Sequence, residues 1–93
     1  MTITVARRPG VEPLVFEVEV AEGREATRHR VTLRAADFAQ LAGGATPERT
    51  IEAAFRFLLD REPKESILAS FDVRVIARHF PEFERELPRY LAR

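Results

Sequence analysis

The stretch LVFEVEVAEGREATRHRVTL, residues 14–33, decides the fold. Apolar and polar side chains alternate on both sides of EGRE, the period-2 signature of two half-buried strands. With the turn at Gly23-Arg24 and Glu22 opposite Glu25, every other pairing follows. Val20 then faces Thr27, Val18 faces His29, Phe16 faces Val31 and Leu14 faces Leu33 on one side of the ribbon. On the other side Glu19 meets Arg28 and Glu17 meets Arg30. Such cross-strand pairs contribute about 0.2–1 kcal/mol each, and a one-residue slip would turn every side chain to the wrong face. Gly23 provides the positive φ that a tight hairpin turn requires.

Upstream, Ile3 and Val5 alternate with polar residues near Thr2–Ala6, before the turn signal Pro9-Gly10. This predicts a third antiparallel strand, which a hairpin needs because two strands alone are marginal in water.

Downstream the apolar period lengthens. AADFAQLAGG, residues 35–44, predicts a brief helix with Phe38 and Leu41 facing inward and Gly43 ending it. In TPERTIEAAFRFLLDRE, residues 46–62, Thr46 is placed to cap, Pro47 suits the first turn and Glu48 sits at the positive end of the helix dipole. Ile51, Ala54, Phe55, Leu58 and Leu59 form the main apolar stripe, whereas Phe57 lies outside it beside Ala53 and Thr50. A helix apolar on two faces is either sandwiched within its own fold or shared with another subunit. The second case makes Phe57, Ala53 and Thr50 a candidate interface.

REPKESILASFDVRVIARHFPEFE, residues 61–84, reads as short helices turned by prolines. Pro63 stops the preceding helix, and Ile67, Leu68 and Phe71 give one compact face. Asp72 is placed to cap a second short helix in which Val75, Ile76, His79 and Phe80 share an inward side. Pro81 opens a last segment carrying Phe83, Leu87 and Leu91, and Pro88 is expected to break or bend it after Leu87. The expected fold is a single α+β domain over residues 1–93, with a hairpin over 14–34 and a helical part over 35–92. Its sheet is expected to be two- or three-stranded and antiparallel, covered on one face by about four short helices. In this reading the prolines and aromatics of the second half serve only to clothe the strands.

Composition narrows the function classes. The chain is 45% hydrophobic and 32% charged, a globular balance. With no cysteine, it has neither a disulfide framework nor a thiol nucleophile. Fifteen bases balance fifteen acids, and fourteen of the bases are arginine. Residues 14–34 carry four acids and four bases, and residues 64–93 five and six, so neither half is a polybasic footprint for nucleic acid. MTITVARRPG has no apolar core after its paired arginines, and no run approaches membrane-spanning length. A soluble, cytoplasmic protein is expected.

No constellation for chemistry stands out. His29 and His79 both fall on inward faces, where a packed ring is the commoner state. A zinc site needs three or four ligands, and the nearest local set, His79 with Glu82 and Glu84, is interrupted by Pro81. Ser66 or Ser70 can be written with His79 and Asp72 as a triad, but no GxSxG elbow surrounds either serine. Gly43-Gly44 precedes a helix without the rest of a phosphate loop. No cofactor is implied. Arg74 and Arg78, four apart on an outer helix face, are the candidate contacts for an alternative DNA-binding role.

The run FRFLLDREPKESILASFDVRVIARHFPEFE resembles a set of short bacterial proteins in which a hairpin precedes an aromatic-Pro-Glu-aromatic-Glu ending, matched here by Phe80, Pro81, Glu82, Phe83 and Glu84. The likeness covers roughly the last two-thirds of the chain. It implies a bacterial source and a stand-alone small domain, and brings no activity, cofactor or catalytic residue with it. The function expected is a non-catalytic protein-interaction module or accessory subunit, as a homodimer or with another protein. The alternative is a small DNA-binding regulator using Arg74 and Arg78. A third reading is a small hydrolase or metal enzyme around His79 or His29.

Overall fold

The computed structural model describes all 93 residues. Three strands come first: β1 (Thr2–Arg7), β2 (Leu14–Glu22) and β3 (Glu25–Leu33). Two helices follow, α1 (Ala35–Leu41) and α2 (Pro47–Leu59), then a 3₁₀ turn at Lys64–Ser66 and a short strand β4 (Ser70–Asp72). Helices α3 (Arg74–His79) and α4 (Phe83–Leu91) complete the chain.

The hairpin has the register that alternation and charge dictate, from Leu14↔Leu33 to Glu22↔Glu25, with Gly23 at φ +61° in the turn. Arg30 and Arg28 reach Glu17 and Glu19 at 2.8 and 2.9 Å on the open face of the sheet. Strand β1 adds antiparallel to β2, as Ile3 and Val5 predict. Glu22 and Glu25, a like-charged pair at the end of the ribbon, are compensated by Lys64, the only lysine. Its buried ammonium lies 2.8 Å from Glu65, 3.5 Å from Glu22 and 3.7 Å from Glu25. The bond that Lys64 donates to Glu65 is the chief reason its pKa is raised, so the group stays charged.

The sheet differs from expectation in having four strands, ordered β1-β2-β3-β4, with β4 parallel to β3. Residues 64–72, read as a helix, form the 3₁₀ turn and β4 instead. An apolar spacing this short does not separate helix from strand. The free edge of β3 decides it: the Arg30 amide donates to the Ala69 carbonyl at 2.8 Å and the Val73 amide to Thr32 at 3.0 Å.

Helix α2 is the middle layer. Thr46 caps it by accepting from the Arg49 amide at 3.1 Å, with Pro47 in the first turn. At 100° per residue, Phe55 and Phe57 point to nearly opposite sides. Phe55 faces the sheet, 5.4 Å from the His29 ring and 6.0 Å from Phe71. Phe57 meets Phe83 at 5.0 Å, Tyr90 at 5.8 Å and Phe80 at 5.9 Å. The second apolar face of α2 is therefore covered by α4 of the same chain. The candidate interface of Phe57, Ala53 and Thr50 is corrected accordingly, since all three are buried within one chain. Helix α4 also runs through Pro88 rather than breaking at Leu87. Pro88 and Glu84, whose carbonyl loses its partner, are both exposed, while Leu87 and Tyr90 anchor the buried side.

Candidate functional site

A cleft of about 180 Å³ opens between the end of α2, residues 66–68, β4 and α3. Its walls are mostly apolar, including Leu58, Ile67, Leu68, Phe71, Val75 and Phe80, with Glu62, Ser66 and His79 as the polar lining. Two of the aromatics expected only to clothe the sheet thus also wall a cleft with an imidazole on it, which corrects the view that packing is their whole role. Phe55, Phe57 and Phe83 do serve packing alone, each fully buried.

The cleft wall is held rigidly from behind. The Nδ1–H of His29 donates to the Leu68 carbonyl at 2.8 Å, and in the neutral ring Nε2 accepts from the Thr27 hydroxyl at 2.8 Å. With the Arg30–Ala69 bond next to it, the backbone at 68–69 is pinned to β3. Ile67 points into the core and Leu68 points out, 54% exposed. Met1 and Val11 are the other exposed large apolar residues, and neither adjoins the cleft. The floor of the next turn is set by Asp72, which accepts from Thr32 Oγ1 at 2.7 Å, from the Arg74 amide at 3.0 Å and from Arg74 Nε at 3.0 Å. Burial pushes the Asp72 carboxyl up, but those donors outweigh it and hold it below its usual range. Asp72 is not the cap residue expected of it: it ends β4, Val73 holds the N-cap position without a side-chain bond, and of the backbone amides Asp72 accepts only that of Arg74, the first residue of α3.

The sequence-derived candidates separate clearly in space. His29 is buried as expected, whereas His79 is exposed at the cleft and not turned inward. Its Nδ1–H bonds the Val75 carbonyl at 3.2 Å, so no carboxylate orients the ring. Ser66 and His79 share the cleft, but Asp72 is committed to Thr32 and Arg74, and Ser70 is exposed in β4. The triad does not assemble. Glu82 pairs with Arg61 at 3.1 Å and Glu84 with Gln40 at 3.5 Å, so neither joins His79, and no group of three acidic or imidazole side chains is close enough to hold a metal. Both arginines are exposed, but Arg74 is anchored to Asp72 at 3.0 Å and lies 3.7 Å from Asp37, leaving Arg78 as the unpaired base of the two. The two-helix unit that would carry those arginines is also missing its first helix, replaced by the 3₁₀ turn and β4. Leu68, read with Ile67 and Phe71 as one compact face, turns outward instead, because nothing local marks which apolar residue of ESILASF does so, and Glu62 is not among the sequence candidates.

No helix is long and apolar enough to cross a membrane. No protein-family model, curated protein or solved structure matches the chain.

Proposed function

We propose that this protein is a non-catalytic interaction module that seats an apolar side chain of a partner protein in the cleft beside Leu68. The observation that carries the proposal is an exposed leucine on a backbone pinned by His29 and β3, continuous with an apolar depression. Single exposed apolar residues are ordinary, but one fixed at the lip of an apolar cleft exposes a contiguous patch suited to a partner. The size favours a side chain over a free small molecule. Small-molecule sites occupy about 300–1,000 Å³, whereas a cavity of about 150 Å³ holds a single aromatic ring. Catalysis is disfavoured because His79 lacks an orienting carboxylate and the cleft around it is mostly apolar.

Selection from a displayed random-peptide library tests this directly. Peptides converging on a Leu, Ile, Met or Phe anchor are expected, with affinity at least tenfold lower for Leu68→Asp and Val75→Asp than for the native protein. Failure to enrich such peptides, or binding indifferent to both substitutions, would sink the proposal.

A further inference from the structure

We infer that the chain self-associates through β1, joining two sheets edge to edge about a two-fold axis at Thr4. Strand β1 ends the sheet on the side away from β4, so this contact leaves the cleft free and is independent of its role.

The hydrogen-bond phase of β1 can be read from its partner. The Arg8 amide donates to Val15 at 2.7 Å, in the same register as Thr2↔Ala21 through Arg7↔Phe16. Bonded and non-bonded pairs alternate along an antiparallel ladder. Thr2, Thr4 and Ala6 therefore spend their backbone groups on β2, while those of Ile3, Val5 and Arg7 point to the open edge. That edge carries few of the usual protections: β1 contains no lysine, no proline and no bulge, its only charge is Arg7 at its end, and its register is unbroken over six residues. By contrast β4, the opposite edge, is protected by its length of three residues.

A second copy fits this edge residue by residue. With Thr4 on the axis, Ile3 bonds Val5 of the other copy and Val5 bonds its Ile3, while Thr4 faces Thr4 in the non-bonded position. Both faces stay in register. Ile3 and Val5, half-buried in the single chain, continue the apolar row on the helix side, and threonines continue the polar row on the open side. Arg7, at the end of the contact, is already neutralised by a bidentate pair with Glu48, both bonds 2.7 Å, which also ties β1 to α2 and keeps the edge rigid. The arrangement is isologous and closes on itself, so it yields a dimer and not a fibre. A contact of one strand on one strand is smaller than a standard interface, so the dimer is weak and concentration-dependent.

Sedimentation velocity on the whole chain, up to about 1 mM as a weak contact demands, should show a monomer–dimer equilibrium. Hydrogen exchange at the Ile3 and Val5 amides should slow as concentration rises, while exchange at Thr4 and Ala6 stays constant. Thr4→Lys places the new ammonium beside Glu19 within the monomer but against its own copy across the axis, and should weaken the dimer several-fold. Val5→Pro removes an amide that no bond within the chain uses, and should abolish dimerisation. A monomer at every concentration overturns the inference. So does a dimer that both substitutions leave intact, or one whose protection falls elsewhere than Ile3, Val5 and Arg7.

Discussion

The guanidinium of Arg61 lies 3.6 Å above the ring of Phe57 and donates to the Phe57 carbonyl at 3.1 Å, closing the last open side of that phenylalanine. The same guanidinium reaches Glu82 at 3.1 Å and the Tyr90 hydroxyl at 3.3 Å, and Tyr90 in turn donates to Asp60 at 2.6 Å. The α2–α4 contact thus has an aromatic centre under a charged lid, and Phe57 is spent inside one chain.

Phe57→Ala should therefore act on stability and not on association. The expected loss is about 3–5 kcal/mol, from removed contacts and the cavity left among Phe80, Phe83 and Tyr90. Denaturant unfolding measures it. A loss below about 1 kcal/mol would mean the site collapses far better than this packing allows.

His29→Leu keeps the volume near Phe55 but strips the Leu68 carbonyl of its donor. A cost of about 1–3 kcal/mol is expected from the buried acceptor left without a partner. Amide exchange at Arg30 and Val73, the bonds that zip β4 to β3, should accelerate more than exchange in the β1–β2 ladder. Uniform acceleration across the sheet would argue that His29 contributes packing alone.

Acid should loosen the β4–α3 corner. The Asp72 pKa is depressed in the folded chain from its ordinary value of 3.8, so its contribution to stability is complete above that value and drains away as pH falls through the lower folded-state pKa. Asp72→Asn should be less stable than the native protein near neutral pH, with the gap closing in strong acid. Unfolding curves of the two proteins measured across that range give the answer, and a gap independent of pH would refute the assignment.

Pro88→Ala should stabilise α4. The substitution restores a bond to the Glu84 carbonyl on the exposed side of the helix, offset by a more flexible unfolded chain. A net gain of about 1–2 kcal/mol is expected, read as a higher denaturation midpoint. A loss would show that the ring itself packs against something the helix needs.

Local chemistry made the hairpin, its register, the Thr46 cap and the third strand legible, because each rests on contacts between residues close in sequence or paired by a single turn. Phe57 shows where that reach stopped. Its position on a second apolar face was plain, yet whether α4 or another molecule covers it depends on a helix some thirty residues away in a direction that periodicity does not specify. The cleft was illegible for the same reason, being assembled from four separate segments.

Alternation and charge pairing within residues 14–33 were enough to determine the sheet's centre, since a shift by one would have exposed its whole apolar face. Tertiary structure alone decided that Ser70–Asp72 extends along β3, that Leu68 faces outward and that α4 continues past Pro88. Those segments are short and their intrinsic preferences weak, so an unpaired strand edge and a buried anchor elsewhere in the chain outweigh them.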